Sequence, residues 1–258
     1  MFIGSELAYS DQYSALERTY IRWLGVPIVG LRIRARNIFS LIPKDKTYNE
    51  ILDAGSGPGV FSFELAKRFP KAKILGIDIF EEQVNDAEAV RQKVGLENVH
   101  FAIGDILDFP HKDRFDLAVC VDILEHIKDD RAAMKGLFDA LAPGGYLVVH
   151  VPAFHRRYPV FKKSENFYVP THVRTGYEPE ELHGKLTDTG FEIAAGGFTY
   201  GFWETLANNI SYMITRAQMK NKKLYALAFP FLQLMSCLGA RARPAKLGAG
   251  VYAVARKP

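Results

Sequence analysis

Apolar, β-branched runs take turns along this chain with amphipathic segments of helical spacing. Between residues 50 and 152, five apolar, β-branched runs lack clean polar alternation, which is typical of parallel strands covered on both faces. The predicted strands are EILDAG, KILGIDI, VHFAIGDI, FDLAVCVDI and GYLVVHVP. Between them, Val60–Phe69, Glu81–Val94 and Asp130–Leu141 carry apolar residues at helical spacing. This alternation predicts a doubly wound α/β sheet with right-handed crossovers.

The second half of the chain departs from this regular pattern. Residues 153–177 hold many aromatic and basic side chains without a clear period, so we predict a long functional loop. A helix over Glu178–Thr189 follows, and FEIAAGGFTY and GAGVYAVARKP predict two more strands, separated by a mainly helical segment. We therefore divide the chain into an N-terminal helical cap (1–48), a core (49–200), a helical insert (201–247) and a last core strand (248–258).

Composition narrows the possible function classes. The chain has 258 residues, of which 48% are hydrophobic and 24% charged, as in a globular protein with a substantial core. Its net charge of +4 is mild and includes no block of like charges, so we predict no nucleic-acid partner. Cys120 and Cys237 lie in apolar runs and are predicted to be buried, inert thiols of a cytoplasmic protein. We predict neither a signal peptide nor a membrane-spanning segment.

A glycine-rich turn follows the first predicted strand. It reads Asp53-Ala-Gly55-Ser-Gly57-Pro-Gly59 and leads directly into a helix, so backbone amides and the positive helix end can approach a ligand closely. The dinucleotide fingerprint G-x-G-x-x-G is not matched, because the third glycine comes one residue early. No Gly-Lys-Ser/Thr follows, which excludes a Walker A loop.

Acidic residues also end the next three predicted strands. Asp78 closes the second strand, Gly104-Asp105-Ile106 closes the third and Val121-Asp122 closes the fourth. A carboxylate at the tip of strand two can accept both hydroxyls of a ribose, and one at the tip of strand three can accept from an adenine amino group. Because the carboxyl ends of parallel strands share one edge, these acids predict a single nucleoside-binding site there.

Together, ILDAGSGPG, GIDIF, GDILDFP, VDILEHI and LAPGGYLVVHVP resemble the class I S-adenosylmethionine-dependent methyltransferases, especially those that modify small molecules and lipids. The resemblance covers roughly Glu50–Pro152. It implies a Rossmann-like, seven-stranded and mostly parallel sheet whose antiparallel last strand pairs with the sixth. It also implies S-adenosyl-L-methionine as cofactor and S-adenosyl-L-homocysteine as product. The cofactor-binding residues that it implies are Asp53, Gly55, Ser56, Gly57, Gly59, Asp78, Ile79, Gly104, Asp105, Ile106, Val121 and Asp122.

Methyl transfer from a sulfonium is an in-line displacement, for which a protein supplies positioning, desolvation and, where required, a general base. The candidate catalytic residues are His126 after the fourth strand, and His172 and Tyr177 in THVRTGY, a segment that helps close the site in related enzymes. Purely structural roles for these three residues remain the alternative. His150 within strand five is expected to be structural. No cluster has the sequence spacing of metal ligands, so no metal is predicted, and a carboxylate–histidine site formed in space stays open as the alternative.

Substrate choice is expected to depend on the cap and the insert. Both are rich in Phe, Tyr, Trp and Met, which predicts an apolar pocket and a hydrophobic acceptor of the quinone, isoprenoid or acyl type. The apolar part of the insert is bracketed by cations, which is typical of peripheral contact with the inner membrane surface. These cations are Lys220, Lys222, Lys223, Arg241 and Arg243. The alternative is a helical pair packed on the core or on a second subunit.

Two other functions remain open. One is a methyltransferase for a polar natural product such as a sugar or polyketide, which acids and histidines lining the pocket would favour. The other is a non-catalytic protein that binds S-adenosylmethionine or a membrane.

Overall fold

Strands of the described residues form a mostly parallel sheet, which confirms the predicted α/β fold. The computed structural model describes residues 3–157, 162–166, 169, 171–215, 221–240, 243–244 and 246–258. Its strands are β1 (Glu50–Ala54), β2 (Lys73–Asp78), β3 (Val99–Ile103), β4 (Phe115–Val121), β5 (Leu141–Pro152), β6 (His155–Arg157), β7 (Lys163–Glu165), β8 (Glu192–Thr199) and β9 (Gly250–Arg256). β6 and β7 pair with each other, and within the described ranges the other seven strands make the main sheet.

The strand order of the main sheet is β3-β2-β1-β4-β5-β9-β8. β1 to β5 run parallel, whereas β9 runs antiparallel between β5 and β8. The insert leaves this edge intact, because Thr199 at the end of β8 pairs with Gly250 at the start of β9. β8 is therefore parallel to β5, and the insert emerges at the edge where the other parallel strands have their carboxyl ends.

The helices lie close to their predicted positions. The cap contains α1 (Ala15–Leu24) and α2 (Val29–Leu41), and Ser14 with Glu17 forms a capping box at the start of α1. The bounds of the crossover helices each agree with prediction to within one residue. They are α3 (Val60–Arg68), α4 (Glu81–Val94), α5 (Asp130–Ala140) and α6 (Pro179–Asp188), and the insert contains α7 (Phe202–Thr215) and α8 (Lys222–Leu238).

Alternate residues of the central strands pack on opposite faces of the sheet. Leu117 and Val119 of β4 join the apolar cluster that includes α3, α4 and the cap, whereas Ala118 and Cys120 join the cluster that includes α5 and α6. All four side chains are fully buried. The strands are therefore apolar on both faces, which explains why their sequences lack polar alternation.

The insert packs on the cap through a third apolar cluster. Val29 and Ile33 of α2 share this cluster with Tyr225 and Phe229 of α8. The opposite face of α8 is exposed, and Cys237 lies there, so the prediction that this thiol is buried is wrong. Burial was predicted because both faces of α8 are apolar, whereas in the structure one face packs on the cap and the other is exposed. Among the described residues, no helix is long and apolar enough to cross a membrane.

Part of the predicted long loop is ordered as the β6–β7 pair. His155 lies opposite Glu165, and Arg157 lies opposite Lys163. Strands of three residues are too short to produce a recognisable alternation, which is why the sequence did not predict them. The rest of that loop lies partly outside the described residues, as do Lys220 and Arg241 of the predicted cation set.

Candidate active site

The glycine-rich turn after β1 folds tightly over the end of the sheet. The amides of Gly55 and Ser56 both donate to one carbonyl of β2, at 2.8 Å each. Gly55 has a φ of +79°, and a Cβ there would lie 2.2 Å from the side chain of Ile123. Gly59 has a φ of +83°, and a Cβ there would lie 2.7 Å from the ring of Phe101. Both the backbone conformation and the space therefore require glycine at these two positions.

The middle of the turn faces open space. Apart from Gly57 itself and its two neighbours in the chain, no atom of the described residues lies within 4 Å of the place that a Cβ of Gly57 would take. In the same part of the chain, the buried hydroxyl of Ser56 has no hydrogen-bond partner. Asp78 at the end of β2 accepts from the amide of Gly57 at 2.8 Å and, through its other oxygen, from the amide of Phe80 at 3.0 Å. These two contacts hold the Asp78 carboxylate at the rim of the space.

Exposed apolar side chains accompany the acids at the tips of β2 and β3. Asp105 accepts from the amide of Leu107 at 2.9 Å, which fixes its carboxylate after β3. Ile79, Phe80 and Ile103 are exposed by 59%, 65% and 59%, and Leu107 by 47%. Apolar surfaces beside carboxylates suit a planar aromatic base that carries an amino group.

The other residues predicted at this edge act through backbone and packing. The amide of Gly104 donates to the carbonyl of Asp78 at 3.0 Å and ties the ends of β2 and β3 together. Ile106 and Val121 are buried and pack in the two clusters on either side of the sheet.

Asp53 lies beneath the turn and is only 2% exposed. Its carboxyl accepts from the hydroxyl of Ser62 at 2.5 Å. Burial raises the pKa of Asp53 to about 7, and the hydrogen bonds from Ser62 offset this rise only in part. A buried carboxyl of this kind, beneath the turn, is suited to receive a cationic amino group.

These features fit the cofactor that the sequence resemblance implies. The open space at Gly57 and the hydroxyl of Ser56 suit the methionine portion of S-adenosylmethionine, with Asp53 beneath its amino group. The rim carboxylate of Asp78 suits the ribose, and Asp105 with its apolar neighbours suits the adenine. The role of each residue stays a prediction.

A second cavity, of about 280 Å³, opens beside the end of β4. The side chain of Ile123, which lies on Gly55, connects this region to the glycine-rich turn. Most side chains of its lining are polar, and the acidic, basic and imidazole side chains among them are Arg34, Asp122, Glu125, His126, His150, Arg156 and His172. The cavity beside β4 is therefore not the predicted apolar pocket. The insert lines another cavity of about 280 Å³, whose side chains include Phe202, Leu206 and Leu247. Other aromatic and aliphatic residues of the cap and insert pack together, while Arg34 of the cap and Asn208 of the insert line the cavity beside β4.

A buried polar network crosses the floor of this cavity. Asp122 has a φ of +54°, in the left-handed region that aspartate tolerates better than most residues. Its carboxylate lies 2.9 Å from Nδ1 of His150 and 3.0 Å from Nε of Arg34. Nε2 of His150 lies 2.9 Å from the hydroxyl of Thr199. Burial raises the pKa of Asp122, but the charge of Arg34 and the hydrogen bond from His150 outweigh it and hold the pKa below its usual range. His150, expected to be structural, thus lies between the sheet and the cavity.

Two predicted catalytic residues meet at the cavity wall. The rings of His126 and His172 lie with centroids 4.6 Å apart and nearly perpendicular. Nδ1 of His126 lies 3.0 Å from the carbonyl of Thr171. Glu125, which precedes His126, is 1% exposed, and burial together with the charge of Asp122 raises its pKa well above the usual value. Burial and the neighbouring His126 lower the pKa of His172.

Tyr177 does not reach the cavity, which corrects the prediction that it is catalytic. Its side chain is fully buried, and its hydroxyl lies 2.8 Å from the carboxylate of Asp130 and 3.2 Å from the carbonyl of Leu124. Arg174 also contacts both Asp130 and the hydroxyl of Tyr177. These contacts anchor the segment that carries His172, so Tyr177 acts as a structural residue.

A family model described as a methyltransferase domain matches residues 45–195, more than half of the chain. The chain belongs to the class I S-adenosylmethionine-dependent methyltransferases. S-adenosylmethionine is accordingly its cofactor, as predicted.

Two curated relatives illustrate the range of this family. Trans-aconitate 2-methyltransferase of Deinococcus radiodurans is 36% identical over 121 residues, which are 47% of this chain and 44% of the relative. The ubiquinone biosynthesis O-methyltransferase of Psychrobacter cryohalolentis is 32% identical over 104 residues, 39% of either chain. The alignments thus span less than half the length of these relatives.

Solved structures share the fold at low sequence identity. The N-methyltransferase NodS of Bradyrhizobium japonicum, crystallised with S-adenosyl-L-homocysteine, has a TM-score of 0.55 and 18% identity, covering 89% of this chain and 88% of that one. The [4+2]-cyclase SpnF has a TM-score of 0.62 and 21% identity, covering 89% and 80% of the two chains. These likenesses establish the fold alone.

The residues that sequence reasoning missed line the cavity beside β4 rather than the glycine-rich turn. The sequence pattern indicated neither Arg34 of the cap nor Arg156 of the basic loop as a site residue. Arg34 lies on α2 and Arg156 on β6, and both line the cavity beside β4. The neighbouring acid and histidine after β4 were the available signal that this cavity is polar.

Proposed function

We propose that this methyltransferase transfers a methyl group to a small, polar acceptor that carries a carboxylate. The observation that carries this proposal is the lining of the cavity beside β4, which includes two guanidinium groups, three imidazole rings and three aliphatic side chains. Its volume of about 280 Å³ suits a small metabolite.

Arg156 is the residue best placed to orient such an acceptor. It is only 3% exposed, and its guanidinium contacts the side-chain oxygens of Asn209 at 2.5 Å and of Asn166 at 3.4 Å. Its guanidinium carbon also lies 5.5 Å from the ring centroid of Tyr212. A guanidinium held in this way can present a planar, bidentate donor pair to a carboxylate.

The chain then needs to do little beyond positioning. When bound, S-adenosylmethionine supplies a methyl group on a positively charged sulfur, which leaves as a neutral thioether when the acceptor oxygen takes the methyl. A carboxylate is already ionised at neutral pH, so it needs no general base. Arg34 and Arg156 would hold the acceptor, and His126 and His172 would close the cavity against water.

Transfer of an isotope-labelled methyl group tests this proposal with two sets of acceptors, small di- and tricarboxylates and quinols with acyl chains. We expect carboxylates to be methylated and the label to be released by mild alkali, as for an ester. Arg156→Lys is expected to raise KM by about 10-fold or more, because it keeps the charge but loses the paired donors. The matched control is Arg157→Lys, on the exposed neighbour of Arg156. Preference for the quinols would instead establish the hydrophobic acceptor that the sequence predicted.

We also infer that the outer face of α8 contacts an anionic membrane surface. Apolar side chains that recur every three or four residues along this face are exposed by 55% to 72%. They are Leu224, Leu227, Phe231, Leu234 and Leu238. Lys222 and Lys223 are exposed at the start of the same helix. This combination of an apolar face with adjacent cations suits the boundary between anionic headgroups and acyl chains.

Co-sedimentation with vesicles tests the membrane contact. We expect binding to vesicles of phosphatidylglycerol and phosphatidylcholine, weaker binding to phosphatidylcholine alone, and loss of binding in Leu227→Ser/Phe231→Ser. Because both side chains are 72% exposed, the double variant should keep its melting temperature. If the protein instead forms a dimer that the same double variant abolishes, a second copy of the chain covers this face.

A further inference from the structure

Three side chains of the cavity wall form a cluster with the composition of a metal site. Glu125, His126 and His172 each offer one ligand atom, and these atoms lie within 4.8 Å of one another. All three side chains line the cavity beside β4. The chain positions them through two elements, the turn after β4 for the first two residues and the segment before α6 for the third.

Two atoms of this cluster lack partners. Glu125 is 1% exposed, yet its Oε2 makes no hydrogen bond with any described residue. Nδ1 of His172 is also buried without a partner in the described part of the chain. Buried polar atoms are almost always satisfied by a partner, so two orphaned atoms in one cluster point to a ligand between them. Asp122, the other acid of the cavity, differs because Arg34 and His150 already satisfy its carboxylate.

The ring of His126 is already oriented for coordination. Its Nδ1 lies 3.0 Å from the carbonyl of Thr171, and this contact requires the proton on Nδ1. Nε2 then carries a free lone pair. Histidines that bind metals in proteins are oriented in the same way, through a backbone carbonyl or carboxylate at the other ring nitrogen.

We propose that Glu125, His126 and His172 bind a divalent zinc ion. Two imidazoles and one carboxylate are a three-residue ligand set that leaves a coordination position open. Here the open position faces the cavity, where an oxygen of the acceptor takes it. The ion thereby positions the acceptor and offsets its negative charge. The acceptor's part in this inference rests on the proposed function, whereas binding of the ion by the enzyme alone does not.

Titration of the metal-free, full-length protein with Zn²⁺ by calorimetry, without acceptor, tests the site. We expect one ion per chain, and we expect His126→Ala and His172→Ala each to weaken binding by about 100-fold or more, since each removes a direct ligand. The matched control, His111→Ala, removes a histidine outside the cavity and should leave zinc binding unchanged. Cobalt(II) should give the visible absorption bands of a low-coordinate site in the native protein and lose them in both ligand variants.

A second readout separates this inference from the proposed function. Binding of S-adenosyl-L-homocysteine to each variant shows that the fold and the cofactor site persist. Zinc binding that His126→Ala and His172→Ala leave intact, or no zinc binding by a native protein that binds S-adenosyl-L-homocysteine, would overturn the inference. Either result leaves carboxylate methylation to be judged by the acceptor assay alone. Conversely, tight zinc binding with no transfer to carboxylates would reject the proposed acceptor and retain the metal site.

Discussion

The buried carboxyl of Asp53 is predicted to destabilise the cofactor-free protein progressively as the pH rises from about 4 to about 7. Its pKa of about 7 compares with an ordinary value of 3.8, because the folded chain disfavours the ionised form. At about 1.4 kcal/mol for each pH unit, the rise from 3.8 to about 7 corresponds to roughly 4 kcal/mol. A carboxyl whose pKa is raised by folding contributes its full stability below pH 3.8 and loses it as the pH rises to 7.

The variant Asp53→Asn removes this dependence. Asparagine still accepts from the hydroxyl of Ser62 but carries no charge at any pH. Linkage over the interval from pH 5 to pH 8 predicts that the native chain loses about 2.5 kcal/mol relative to Asp53→Asn. Denaturant unfolding of both proteins at these two pH values, without cofactor, measures that difference. Asp45→Asn, which changes an exposed acid of the cap–core connection, serves as the control and should show no such divergence.

Cofactor binding gives an independent check on the same residue. If the amino group of the cofactor lies against Asp53, binding requires the ionised carboxylate, so affinity for S-adenosyl-L-homocysteine should increase between pH 6 and pH 8. In Asp53→Asn the affinity should be lower and nearly independent of pH over this range. Equal pH profiles of unfolding for the native chain and Asp53→Asn would refute the reasoning, because they would mean that burial does not perturb this carboxyl.

Three further changes should have separable effects. Asp78→Ala removes the carboxylate assigned to the ribose and should weaken S-adenosyl-L-homocysteine binding by about 100-fold in calorimetry, since two charged hydrogen bonds are lost. Gly55→Ala should lower the melting temperature, because its Cβ would lie 2.2 Å from Ile123 at a φ of +79°. Arg34→Met leaves the carboxylate of Asp122 without its guanidinium partner and should cost about 2 kcal/mol in denaturant unfolding.

Controls for these changes come from neighbouring positions. Gly57→Ala introduces a Cβ into open space, so it should destabilise the fold less than Gly55→Ala while still obstructing the cofactor. Asp78→Ala should remain folded by circular dichroism. If Arg34→Met were as stable as the native chain, the contact between Arg34 and Asp122 would not be a stabilising one.

The residues predicted to bind the cofactor lie at one edge of the sheet, as expected, because each group of them is local in sequence. The turn from Asp53 to Gly59 and the acids Asp78 and Asp105 each follow directly from a strand, and strand ends in a parallel sheet share one edge. The pairing of β8 with β9 across the insert also followed from the family resemblance. The acceptor half was less predictable, because its residues come from the cap, β4, β5, β6 and the insert. A hydrophobic period relates positions within one helix or strand, so it does not predict that residues so far apart along the chain line the same cavity.

The insert shows why composition alone did not predict the polar cavity beside β4. Its high content of apolar residues predicted an apolar cavity, on the assumption that those residues face inward. In the structure Asn209 is fully buried and contacts Arg156, whereas Leu227 and Phe231 are 72% exposed. The insert thus directs polar side chains towards the reaction site and part of its apolar surface outward. Hydrophobic content alone does not contain this information, because orientation depends on which helix face meets the sheet edge. This arrangement makes the proposed polar acceptor compatible with the proposed contact between α8 and a lipid surface.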